Sequence, residues 1–384
     1  MAKHKFHTRV NRIMESVKLP TASTGFVNQD LWVSSGNYAM NRRWSGEFDK
    51  AFLFGRNYAF YGESGSAKSL FAATTAANAQ KEHGAYVVWI DVEHATDGKT
   101  GQEWFQRAGV DTSEDSFLYV SAATLEEIKT IIAKITKDYR ESYSEDMPPL
   151  VFVVDSWAAA VTESEWERIG GKEAGKLVGD MGQKAKQLGD VIKSVTHLCA
   201  RLPVLTIGIL HIMDNQDMYG RKHKLTGGHK VLYYASGAML LTKKELQLRD
   251  IDDDEKREEL FGHVLADVKN KMGGDRYTVG IISSMEIIKS RVTKPFERVD
   301  IAIPYDTGID PYSGLFEVLM QEGMIRKGSP GWFEYVEPTG EVVKFRRKDF
   351  LSHADHLMEI AGSILEDQDE PVETAVVEVV EDEE

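Results

Sequence analysis

Short apolar runs and helical stretches alternate along the first two thirds of the chain. Residues 58–61, 86–90, 117–120, 150–154 and 204–212 are continuous apolar or aromatic segments suited to buried strands. Between them, residues 70–77 are Ala-rich, and 102–108 form a short helical pattern closed by Gly109. Residues 125–139 carry apolar side chains at Leu125, Ile128, Ile131, Ile132 and Ile135, close to helical spacing, and 181–201 also read as helix. Continuous apolar strands alternating with helices predict an α/β core with a mostly parallel sheet covered on both faces. Ligands on such sheets sit beyond the carboxyl ends of the strands. From residue 231 the pattern changes. Residues 237–242, 264–269, 277–282 and 299–303 read as antiparallel strands, with a charged link at 250–259. A small α+β unit follows: a helix at 313–321, a hairpin at 332–336 and 342–345, and a last helix at 350–365. The expected divisions are an N-terminal arm or oligomerisation segment at 1–34, a core at 35–305, the small unit at 306–365 and a tail at 366–384. Two long Gly- and Lys-containing stretches, 157–178 and 214–230, interrupt the core, and loops of that length are usually functional or disordered.

Composition narrows the class. The chain has 384 residues, 42% of them hydrophobic, which excludes global disorder. Its single cysteine, Cys199, excludes a disulfide framework and reads as a small core residue in a reducing compartment. The basic N-terminus lacks the apolar run of a signal peptide, and no stretch reaches the roughly 20 apolar residues of a membrane span. No membrane association is expected, and the expected location is cytoplasm. Of the formal charge of −15, ten units fall on the tail, leaving −5 for the rest. The plain reading of the tail is a solvated, disordered segment; the sharper one is a polyanion competing for a basic site.

The chemistry gathers on residues 61–69, Tyr-Gly-Glu-Ser-Gly-Ser-Ala-Lys-Ser. A strand before, a Gly-rich turn, and Lys-Ser opening a helix are the context of a phosphate-binding loop. Backbone amides of Gly62, Glu63, Ser64, Gly65, Ser66 and Ala67 are placed to cradle phosphates, Lys68 to reach the β- and γ-phosphates, and the Ser69 hydroxyl to hold Mg²⁺. Ala67 stands where the pattern has glycine. Asp155 closes an apolar strand, as a metal-holding carboxylate does. Glu93, just past another strand, is placed to activate water. The first interruption carries Arg168, Gly170, Gly171, Lys172 and Lys176; the second carries Tyr219, Gly220, Arg221, Lys222, Lys224 and Lys230. Cations, glycines and one aromatic suit single-stranded nucleic acid, or equally two solvated loops.

Several strings resemble RecA-family recombinases. Residues 89–97, Trp-Ile-Asp-Val-Glu-His-Ala-Thr-Asp, are similar to the segment holding that family's catalytic glutamate and, later, an aspartate near the adenine. The resemblance thus implies Glu93 as base and Asp97 as an adenine contact. Val153-Val154-Asp155-Ser156-Trp157 looks like the metal-binding strand leading into the first DNA loop, and residues 227–236 like the end of the second. His211 falls at the family's γ-phosphate sensor. Residues 308–315, Gly-Ile-Asp-Pro-Tyr-Ser-Gly-Leu, with Gly331-Trp332-Phe333, are similar to the UvsX branch of phage recombinases, which also tolerates non-Gly residues at position 67. Lys289 and Arg291 align with cations that act on ATP across a subunit interface; Val268-Lys269-Asn270-Lys271 is a rival string.

The resemblance covers about residues 35–350. It implies a RecA-like core that hydrolyses ATP with Mg²⁺, forms a helical homo-oligomeric filament on single-stranded DNA, and pairs it with double-stranded DNA. Single-strand-binding and loading partners follow, as does a bacterial host cytoplasm if the gene is phage-borne. A hexameric helicase or a non-catalytic ATP-binding assembly protein are the alternatives for the same core.

Overall fold

This computed structural model describes residues 30–144, 146–170, 181–215, 223–250 and 278–369. In chain order the elements are β1 (Trp32–Val33), α1 (Tyr38–Ser45), β2 (Phe52–Leu53), β3 (Asn57–Gly62), α2 (Lys68–His83), β4 (Tyr86–Asp91), α3 (Gly98–Arg107), β5 (Phe117–Ser121), α4 (Leu125–Ser142) and β6 (Leu150–Asp155). They continue with α5 (Glu163–Gly170), α6 (Met181–Cys199), β7 (Val204–Asp214), β8 (His223–Leu225), α7 (His229–Tyr234), β9 (Gly237–Gln247), β10 (Thr278–Lys289) and β11 (Arg298–Pro304). The C-terminal part holds α8 (Leu315–Gln321), β12 (Arg326–Lys327), β13 (Phe333–Val336), β14 (Val342–Phe345) and α9 (Leu351–Asp369).

The main sheet runs β11-β10-β9-β3-β7-β6-β4-β5, with β8 paired to β7 off that path. From β9 to β5 every neighbouring pair is parallel. The strands are apolar on both faces because both are covered. Phe60, Trp89, Val151 and Val153 pack with Phe71 of α2 and Phe105 of α3. Their neighbours Tyr61, Val88, Ile90, Phe152 and Val154 pack with Leu125 and Ile128 of α4 and Leu188 and Val191 of α6. Cys199 is a buried free thiol in the second of these layers.

Several boundaries differ from expectation, each for a local reason. β9 joins the parallel sheet beside β3 as well as pairing antiparallel with β10. The first interruption carries a helix, α5, whose start is capped: the Glu165 amide donates to Thr162 Oγ1 at 3.1 Å and Glu165 Oε2 accepts from the Thr162 amide at 2.9 Å. The last helix extends to Asp369, into the acidic segment expected to be tail. The expected strand at 264–269 and most of the arm and tail lie outside the described residues.

The C-terminal unit shares the first core layer through Leu315, Leu319, Leu357 and Ile360. Asn37 ties it down. Its Oδ1 caps α1 by accepting from the Met40 amide at 2.8 Å, and its Nδ2 donates to the carbonyls of Asp310 and Ser313, both at 2.9 Å. Gly314 is left-handed (φ 79°), and a Cβ there would stand 2.5 Å from Val299 Cγ2 and 2.8 Å from the Asp300 carbonyl. The Gly-Ile-Asp segment is therefore a joint between core and C-terminal unit. Asn37→Ala removes a cap and strands two carbonyls, so urea unfolding should show a loss of about 2–4 kcal/mol. An unchanged midpoint would contradict this role.

Candidate active site

Gly62 pairs with His211 across β3 and β7, and Asp91 with Asp155 across β4 and β6. β4 and β6 therefore end together, and β3 ends opposite His211 on the same side of the sheet, where β7 runs on to Asp214. The loop between Gly62 and α2 folds back over that side. Gly62 is pressed close: a Cβ would stand 2.5 Å from both the Leu241 carbonyl and Ser66 Oγ. Gly65 and Ala67 both have left-handed backbones, with φ of 71° and 70°. The loop demands glycine geometry at position 67, and alanine meets it at a strain of about 1–2 kcal/mol. Ser66 Oγ donates to the Glu63 carbonyl at 2.9 Å, and Ser283 Oγ of β10 donates to the Ser66 carbonyl at 2.9 Å.

Lys68 is buried, and its Nζ donates to the Glu63 carbonyl at 2.6 Å. Burial pushes its pKa down; the charges of Asp155, Glu93 and Glu63 oppose that, and Lys243 adds to it. Asp155 is buried at the end of β6, with the Ser69 hydroxyl near enough to favour its charged form. Burial lifts its pKa to about 6 against that influence, and the charges of Glu93 and Asp91 add to the rise. A hydroxyl and a carboxylate side by side are hard oxygen donors of the kind that would suit Mg²⁺. Among the described residues there is no group of three or more His, Cys, Asp or Glu that could hold a metal by itself.

Glu93 Oε1 accepts from Ser156 Oγ at 2.6 Å and meets His211 Nε2 at 2.7 Å. Partial burial pushes its pKa up, but the bonds from Ser156 and His211 and their neighbours' charge outweigh it and hold the carboxyl below its ordinary value. The turn carrying Glu93 is built on Asp91. Oδ1 of that carboxylate accepts from the amides of Glu93 and His94, both at 2.9 Å. Oδ2 accepts from the Thr96 amide at 3.0 Å, the Thr96 hydroxyl at 2.9 Å and the Tyr119 hydroxyl at 2.7 Å. Burial raises the Asp91 pKa, and these donors lower it further than burial raises it.

The structure thus joins Gly62, Lys68, Ser69, Glu93, Asp155 and His211. Asp97 stands exposed at the start of α3 without a side-chain capping bond. Lys289 and Arg291 lie at the far end of β10. Lys289 Nζ donates to the carbonyls of Leu232 and Tyr233, at 2.7 and 2.8 Å, closing α7 of its own chain. Arg168 Nε turns back to the Ser164 carbonyl at 2.9 Å, and Lys230 pairs with Asp190 at 2.9 Å, so neither stands apart as a bare cation. Lys224 is exposed on β8. Lys172, Lys176, Tyr219, Arg221, Lys222 and the rival Lys269 and Lys271 lie outside the described residues. The roles of Asp91, Tyr119, Ser156 and Ser283 escaped the sequence. Asp91 and Ser156, each inside a quoted string, carried a visible signal; Tyr119 and Ser283 carried none.

An α/β fold with this loop, a buried lysine and a strand-end carboxylate defines a P-loop core. The RecA N-terminal domain family matches residues 27–310, and the chain belongs to that family. It is similar to Protein RecA of Mycolicibacterium smegmatis, 28% identical over 93% of this chain and 86% of that one. It is also similar to Protein RecA of Mycobacterium sp. strain KMS, 28% over 81% and 77%, and of Chloroherpeton thalassium, 25% over 83% and 72%.

Tyr119→Phe removes a hydroxyl donor from a charged acceptor, so at neutral pH it should cost about 1–3 kcal/mol. Because the folded Asp91 pKa is depressed, its contribution is present above the ordinary aspartate pKa and is lost as pH falls through the folded value. The stability gap between parent and variant should therefore close on acidification. A gap constant with pH would contradict the charged bond.

Proposed function

We propose that the chain is a DNA-dependent ATPase acting in recombination and repair. At finer grain we read it as a strand-exchange recombinase of the UvsX type that assembles as a helical filament on single-stranded DNA. The observation that carries this is Glu93, held ionised between Ser156 and His211 beside Lys68, Ser69 and Asp155. Phosphoryl transfer is catalysed by positioning and charge stabilisation. Mg²⁺ bound with ATP supplies charge neutralisation of the phosphates. The chain's own groups do the rest. The loop amides orient the phosphates, and Lys68 leaves the Glu63 carbonyl to meet them. Ser69 and Asp155 offer oxygens to the metal. Glu93 aligns a water and takes its proton.

Dependence on DNA has a structural support. The hydroxyl of Thr226, at the return from the second interruption, donates to the His211 carbonyl at 2.6 Å. His223 Nε2 lies 3.9 Å from Glu63 Oε1. Both contacts join the segment that the family resemblance assigns to DNA with the residues around the phosphate loop. Lys289 and Arg291, remote from their own loop, suit the cations a neighbouring subunit would receive in a filament. The single-strand-binding and loading partners follow from the same reading.

Lys68→Ala should abolish both nucleotide binding and turnover. Glu93→Gln should bind ATP and lose turnover by roughly 10²–10⁴-fold, because the amide keeps its contacts but cannot act as base. Parental turnover in a folded Glu93→Gln protein would remove Glu93 from this role. Arg291→Ala should lose DNA-stimulated turnover and recover part of it when mixed with Lys68→Ala protein. Absence of recovery would count against a site shared between subunits.

A further inference from the structure

We propose that Lys243 is a second phosphate-binding cation of the nucleotide site, supplied by the strand beside the phosphate loop of the same chain. The inference rests on the nucleotide reading above. β9 runs parallel to β3, with Leu241 opposite Gly62 at the last paired position. Two residues further, on the same face of the strand, Lys243 passes beyond the end of β3 and over the turn. Its Nζ donates to the Ser64 carbonyl at 2.7 Å.

That arrangement repeats, one residue along, the one made by Lys68. Lys68 Nζ rests on the Glu63 carbonyl at 2.6 Å, and Lys243 Nζ on the Ser64 carbonyl. Two ammonium groups thus sit on consecutive carbonyls of one loop, near enough that the charge of Lys243 lowers the pKa of Lys68. Like charges held this close repel, and a phosphate is the partner that converts the repulsion into two charge-assisted bonds. Space for Lys243 is provided by Gly65. A Cβ at that position would stand 2.9 Å from Lys243 Nζ. Gly65 therefore serves both the left-handed turn and the approach of the lysine. Lys243 is exposed, so its ammonium is free to move from carbonyl to ligand without a large desolvation cost. Its neighbour Lys244 points to the opposite face and provides a control of equal charge.

A brace that only holds the loop would affect every nucleotide alike. A cation aimed at the phosphates discriminates by phosphate number. The test is equilibrium binding of three fluorescent adenine nucleotides, a non-hydrolysable triphosphate, the diphosphate and the monophosphate, to the full chain with Mg²⁺. Lys243→Gln should weaken the triphosphate about tenfold, the diphosphate less, and leave the monophosphate unchanged. Lys243→Arg should keep near-parental affinity, as should Lys244→Gln, and the Arg variant also guards against misfolding as the cause. Parental affinity of Lys243→Gln for the triphosphate, or equal weakening of all three ligands, overturns the proposal while Lys68→Ala still abolishes binding. If Lys68→Ala also binds normally, the nucleotide reading falls together with it.

Discussion

Parallel strands paired in register place chemically different groups on one line. Gly62 lies opposite His211, and Asp91 lies opposite Asp155. The first pair places the phosphate loop beside His211. The second places Asp155 beside the turn that carries Glu93. The register is held by apolar side chains on both faces of each strand, so a slip of one residue would turn buried side chains to the wrong layer. Fold stability and site geometry therefore rest on the same packing.

Charge is arranged on that line in opposed senses. Burial lifts Asp155 to about 6, while donors hold Asp91 and Glu93 down. A carboxyl near neutrality is suited to exchange its proton for a cation. One held ionised is suited to accept a proton from water. Neighbouring carboxylates thus acquire opposite pKa shifts from their surroundings alone. Hydrogen bonds run from Glu93 to the His211 ring and from the Thr226 hydroxyl to the His211 carbonyl, so the return from the second interruption is tied to the strand that meets Glu93.

Much of this was legible in the sequence because it is local. The run ending in Asp155, the loop before Lys68 and the turn after Asp91 each occupy a few consecutive residues. Helix α5 was also legible in principle, since Thr162 and Glu165 form a capping pair at the usual spacing. The contributions that escaped are non-local. Tyr119 reaches Asp91 only because β5 pairs with β4, and Ser283 and Lys243 reach the loop only through the pairing of β3, β9 and β10. Ala67 was visible as a departure from a pattern, but its meaning is conformational: the loop requires a left-handed residue there, and alanine accepts it.

On the proposed reading, this end of the sheet hydrolyses nucleotide in response to DNA. The most direct measurement is the steady-state ATP turnover of the unaltered chain with Mg²⁺, with and without saturating single-stranded DNA. Turnover should be slow alone and rise clearly when DNA is added. Turnover that is undetectable in both conditions, or identical in both, would contradict it.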